Sequence, residues 1–134
     1  MEEEGSPELQ SHERHYTVEQ ANAALPWVGE RLERIRGALA TLEEPAQVAA
    51  FERLESTDGG GYPGRPAAGA VLALMGAATQ LEALDIVLRD PRQGLVDFPS
   101  IRDGVEIYLC WKLDEKRVEW WHEPEAGFAG RRPL

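Results

Sequence analysis

The side chains able to do chemistry gather in the last third of this 134-residue chain: Asp97, Arg102, Asp103, Cys110, His122, Glu123, Glu125, Arg131 and Arg132. Nothing comparable occurs in the apolar-striped segments before them. Asp97, Cys110 and His122 offer an oxygen, a sulfur and a nitrogen donor, a set that suits zinc or a similar divalent ion. Against a metal, the sequence holds no close-spaced pair such as CxxC or HxxxH, so metal ligation is the weaker reading of these three. Cys110 with His122 as its base would make a nucleophile. A cysteine in mid-strand is usually inert, however, and beside Trp111 it serves as a small hydrophobe. Asp97 with His122 or Glu123 could do acid–base work, an arrangement too common to specify a reaction. Arg131 and Arg132 could clamp a carboxylate or other anion. Acids outnumber bases in the chain, so an ion pair with Asp97 or Asp103 is the simpler role.

Which of these groups meet depends on strand register. Residues 105–113 alternate with period two, as a half-buried strand does. Residues 118–122 read as its returning partner, with Asp114-Glu115 at the turn. A two-residue turn sets Cys110 opposite Glu119 and His122 opposite Ile107, on different sides of the sheet. A three-residue loop puts both on one side. Asp-Glu has no residue comfortable at positive φ, so the tight hairpin turns fit poorly and the register stays open. The two-residue register also sorts Trp111 with Trp120 and Tyr108 with Trp121, which makes both faces aromatic. One face can pack on helices. The other must meet the tail through Phe128 and Leu134, a partner, or a ligand.

The segment 94–103 reads as a loop feeding the first strand. Asp97 then sits near that strand's beginning, beside the end of its partner, where His122 lies. Gly127 and Gly130 let the tail turn back with Arg131. Asp97, His122 and Arg131 are therefore expected to form one polar cluster on the rim of the sheet. The candidate ligand-binding residues are Asp97, Arg102, Asp103, Trp111, Trp121, His122, Glu123 and Arg131. The candidate metal ligands are Asp97, Cys110 and His122.

Two helices must position this region. Thr17-Val18-Glu19-Gln20 fits a capping box. The apolar positions Ala21, Leu25, Val28, Leu32, Ile35, Leu39 and Leu42 then step by 4 and 3, a heptad stripe. Pro26 should kink this helix or move its start to about Leu25. Val48, Phe51 and Leu54 suggest a short helix over 46–55. Ser56–Pro66, with three consecutive glycines, reads as a flexible linker, because no strand precedes it and no GKS or GKT follows. Ala70, Leu74, Ala77, Leu81, Leu84 and Leu88 repeat the 4, 3 stepping over a helix of about 68–89, ended by Asp90-Pro91. Two such helices should pack antiparallel along their stripes. The predicted fold is α+β: a long helical hairpin over 17–90, packed with a small antiparallel β-hairpin and irregular tail over 94–134.

The bulk numbers fit one domain. Hydrophobic residues are 43% and charged residues 28%, close to globular averages. The first 14 residues differ: five glutamates and one arginine give −4 of the formal −10, with almost nothing apolar. That stretch reads as a disordered acidic tail, leaving 15–134 as the domain. The acidic balance and the lack of a basic cluster exclude nucleic acid. It also disfavours anionic membrane, and the longest apolar run, Ala67–Ala78, is shorter than the ~20 residues of a membrane span. One cysteine and no leader-like start predict a cytoplasmic protein.

Several motifs, taken together, resemble the DUF2203 family. Its opening motif is matched by Tyr16-Thr17-Val18-Glu19-Gln20-Ala21-Asn22 and Leu25-Pro26. Its C-terminal signature is matched by Gly94-Leu95-Val96-Asp97-Phe98-Pro99, Asp103-Gly104, Tyr108-Leu109-Cys110-Trp111, Trp121-His122-Glu123 and Gly127-Phe128-Ala129-Gly130-Arg131. The hairpin turn departs from it, with Asp114-Glu115 where Gly-Glu is expected. The resemblance covers most of 15–134 and implies no activity, because the family is uncharacterised. The residues themselves favour a non-enzymatic interaction or scaffold protein, self-associating through its helical hairpin or second sheet face. A small-ligand or metal-binding protein using 94–134 is the alternative, and an enzyme on the same residues is third. No cofactor is specified; a divalent metal is the one candidate, and it is not favoured.

Overall fold

A computed structural model describes residues 12–46, 48, 49 and 65–134 and has an α+β fold. Among the described residues, helices α1 (Val18–Leu42) and α2 (Arg65–Ala83) are joined to a five-stranded antiparallel sheet. Its strands are β1 (Val87–Asp90), β2 (Leu95–Arg102), β3 (Val105–Lys112), β4 (Trp120–His122) and β5 (Arg132–Pro133). They lie side by side in chain order. The expectations for the linker up to residue 64 and for most of the short helix over 46–55 fall outside the described residues, as does the tail up to residue 11; Arg65 and Pro66, read as linker, open α2.

Helix α1 begins where the capping box puts it. Thr17 Oγ1 accepts the Gln20 amide hydrogen, and the Gln20 side chain accepts from the Thr17 amide. Pro26 lies inside the helix and does not move its start. Ala21, Val28, Leu32 and Ile35 are fully buried, and they pack on Ala77 and Leu81 of α2 in one core cluster. Helix α2 stops at Ala83, six residues before the expected end. Asp85 takes a positive φ of 61°, the Ile86 amide donates to the Leu81 carbonyl, and the Asp85 amide donates to the Glu82 carbonyl. This is a Schellman ending, with Ile86 and Leu81 as its apolar contact. Leu88 and Arg89, read as helical, therefore belong to β1.

The segment 94–103, expected as a loop, is mostly strand β2. Its partner register with β3 runs from Leu95↔Lys112 to Arg102↔Val105. Only Asp103 and Gly104 remain between the two strands, with φ of 54° and 79°. Two positive φ values mark a type I′ turn, for which Asp-Gly is a favoured pair. Pro99 sits within β2 because its carbonyl accepts the Tyr16 amide hydrogen on the side away from β3. Its missing donor thus faces the partly open edge beyond β1. The β3–β4 connection is longer than the expected two residues, spanning Leu113–Glu119. It pairs Cys110 with Trp120 and Tyr108 with His122. That parity overturns the two-residue register: Trp111 and Trp121 face the helices, while Tyr108, Cys110, Trp120 and His122 share the outer face.

The helix side of the sheet contributes Val96, Phe98, Leu109, Trp111 and Trp121 to the core. Both ends of the described domain meet the outer face. His12 Nε2 lies 3.0 Å from the Tyr108 hydroxyl and His15 Nε2 lies 2.9 Å from Glu106 Oε2. Residues 12–14, counted with the acidic tail in the sequence, are thus placed against the domain, and the Arg14 amide donates to Asp85. From the other end, Arg131 lies over the rings of Trp120 and Phe128, 4.8 and 4.2 Å from their centres.

Candidate functional site

Three neighbouring strands deliver three donor groups to the outer face. Register pairs Asp97 of β2 with Cys110 of β3, and β4 runs beside β3 with His122 opposite Tyr108. A carboxylate oxygen of Asp97, the Cys110 sulfur and a ring nitrogen of His122 lie within 4.8 Å of one another. The cluster is not on the rim. Asp97 is 2% exposed and His122 1%, and Cys110 is equally buried.

The hydrogen bonds define the charge state. His122 Nε2–H donates to Asp97 Oδ2 at 2.9 Å, and Nδ1–H donates to the Glu123 carbonyl at 2.7 Å. Both neighbours are acceptors, so the arrangement is satisfied by an imidazolium. Burial pulls the His122 pKa down, but the hydrogen bonds to Asp97 and the Glu123 carbonyl, with the Asp97 charge, hold it above its ordinary value. Arg89 Nε donates to the same Asp97 Oδ2 at 2.7 Å. Among the described residues, Asp97 Oδ1 is buried and has no hydrogen-bond partner. An uncompensated buried carboxylate oxygen costs free energy, so its place in the fold calls for an explanation. Burial first, then the Asp97 charge, pushes the Cys110 thiol up to about 12. Such a thiol is no nucleophile at neutral pH.

A cavity of about 190 Å³ opens on this cluster, lined by Arg89, Asp97, Cys110 and His122 on the sheet side and by Pro124, Glu125, Gly127 and Phe128 of the tail. Gly127 has a φ of 69°, which turns the tail back over the sheet.

The other sequence candidates separate from this cluster. Arg131 returns toward the site, as expected, but its Nη1 donates to Glu115 Oε2 at 2.8 Å and sits 3.9 Å from Cys110 Sγ. It does not pair with Asp97; Arg89 holds that place. Arg102, Asp103, Trp121 and Glu123 line a different cleft of about 600 Å³ near the β2–β3 turn. There Arg102 and Arg132 lie over the Trp121 ring, 4.5 and 5.2 Å from its centre. The Glu123 side chain is 3.7 Å from Arg132, and only its backbone carbonyl serves the His122 site. Trp111 points to the helices, and its Nε1–H donates to the Glu115 carbonyl. Residue types alone missed Arg89 and Glu115. The Asp103-Gly104 pair was the available signal: read as a two-residue hairpin turn it sets Asp97 opposite Cys110, though it says nothing of β1.

The family model described as "Uncharacterized conserved protein (DUF2203)" matches residues 14–134. No curated protein and no solved structure matches the chain.

Proposed function

Because this chain belongs to the DUF2203 family, whose description carries no activity, we propose a function from the site itself: a non-enzymatic binding protein whose small ligand enters the cavity between the sheet and the tail. The observation that carries this reading is Asp97, which lines a cavity and whose Oδ1 is a buried acceptor with no partner among the described residues. A ligand that accepts this lone pair offsets the cost of burying it. The raised thiol of Cys110 and the doubly engaged ring of His122 support binding over catalysis. A cytoplasmic location belongs to the same proposal and is supported by the single cysteine. Among the described residues no helix is long and apolar enough to cross a membrane.

Thermal unfolding tests the reading with a panel of divalent metal chlorides and small amines such as methylamine and imidazole. At least one member should raise the Tm of the wild type and leave Asp97→Asn unmoved. A panel without effect, or with equal effect on both proteins, overturns it.

One observation favours a second reading, self-association. Ala68, Leu72, Met75 and Thr79 form an uncharged outer stripe on α2 with 4, 3, 4 spacing, and Leu72 is 72% and Met75 60% exposed. A second copy of the same stripe is the partner such a seam suits. Light scattering after chromatography should show a dimer that Leu72→Glu converts to monomer; a monomeric wild type at high concentration overturns it.

A further inference from the structure

We infer that Asp97, Cys110 and His122 bind one divalent transition-metal ion of the zinc type, with a fourth coordination position open to the cavity. The inference rests on the ligand-binding reading above and names the ligand. Size is the first reason. Pockets for organic molecules run from about 300 to 1,000 Å³, whereas this one is about 190 Å³. It has room for an ion with a water or a very small ligand.

Geometry is the second. Four-coordinate zinc holds N, O and S donors at roughly 2.0–2.3 Å, which sets the donors about 3.3–3.8 Å apart. The three donors here already lie within 4.8 Å of one another on adjacent strands. The remaining difference is about 1 Å. Asp97 Oδ1 is the carboxylate oxygen left over for the ion, since Oδ2 already accepts from Arg89.

The surroundings are the third. A metal-bound histidine usually donates its second ring N–H to a carbonyl or carboxylate, which fixes ring and tautomer. Glu123 does this for Nδ1 at 2.7 Å, so Nε2 is the nitrogen aimed at the cluster. Arg89 orients Asp97 in the same sense. Thiolate and imidazole select zinc, cobalt, iron or copper over magnesium and calcium. On binding, Cys110 Sγ and His122 Nε2 each release a proton to solvent, so a dication replaces two protons and the net charge of the buried cluster is unchanged. The alternative is a dry cluster in which the thiol fills space against Asp97.

Cobalt(II) titration of chelator-treated protein separates the two. The chain has one cysteine, so any sulfur-to-cobalt charge-transfer band must come from Cys110. Such a band should grow to one equivalent, with visible bands of a tetrahedral ion, and zinc should abolish it. Cys110→Ser should lose the band. Asp97→Asn and His122→Gln should each weaken binding by about 10–100-fold or more, the loss seen when even outer partners of metal sites are removed. Circular dichroism shows which variants fold; for any that does not, the wild-type titration decides alone. A folded wild type without the charge-transfer band overturns the metal. A band with unchanged affinity in folded Asp97→Asn and His122→Gln overturns the ligand set. If the band is absent while an amine still stabilises wild type but not Asp97→Asn, the metal fails and the binding reading survives; if both are absent, both fail.

Discussion

His122 reports the state of the site, because its two ring nitrogens face two acceptors. Its folded pKa is raised: burial opposes the charge, but Asp97 and the Glu123 carbonyl outweigh it. A raised folded value means that this group contributes stability fully below its unfolded value, about 6.5. The contribution is lost as pH rises through the higher folded value. The Tm of metal-free protein is therefore expected to fall as pH rises above about 6.5 by more than in His122→Gln. Calorimetry on both proteins measures this, and identical slopes would contradict the charged state assigned to the ring. At this scale the sequence was half legible. Asp97, Cys110 and His122 stand out by donor type, but they have no metal-motif spacing along the chain and the hairpin register leaves open whether Cys110 and His122 share a face. Strands bring ligands together across register, not along the chain, so CxxC-like spacing is the wrong search for a sheet-borne site. Arg89 was invisible because Leu84 and Leu88 continue the helical 4, 3 stepping past the true end of α2.

The elements were legible wherever local chemistry agreed with tertiary packing. The α1 cap and stripe are an example: Thr17, Gln20, Leu32 and Ile35 do in the fold what their spacing predicts. The end of α2 was hidden because an aspartate, not a glycine, takes the left-handed position at residue 85. Strand β2 was hidden because Pro99 reads as a loop residue until the open edge beside it is known. Leu81 ties the helices to the sheet side, being fully buried beside Ile86. Leu81→Ala is expected to cost about 2–5 kcal/mol in denaturant unfolding; a loss below measurement would mean that the stripe is not core. Gly94 governs the other end of the β2–β3 pair. Its φ is 69°, and an added Cβ would stand 2.7 Å from Leu113 Cβ. Gly94→Ala should cost about 1–2 kcal/mol from the backbone alone, and more for displacing Leu113. A neutral substitution would show that this turn tolerates another path.

In the molecule as a whole, both ends of the described domain converge on the outer face of the sheet. Residues 12–15 approach Tyr108 and Glu106, and the 123–131 tail roofs the cavity. Deleting residues 1–11 removes acidic, apolar-poor sequence and should leave Tm unchanged. Deleting 1–15 also strips two histidines from the sheet and should lower it; equal Tm values would show that the His12 and His15 contacts do not stabilise the fold. The α+β class followed from periodicity. The five-strand meander did not, because β1 and β5 are four and two residues long, too short for any periodic signal. Native mass spectrometry of the intact chain with one equivalent of zinc reads metal binding at Asp97, Cys110 and His122 without a chromophore. A single adduct is expected whose mass increase equals one zinc ion less two protons, present in the wild type and strongly reduced in Asp97→Asn. No adduct, or equal uptake by both proteins, would contradict it.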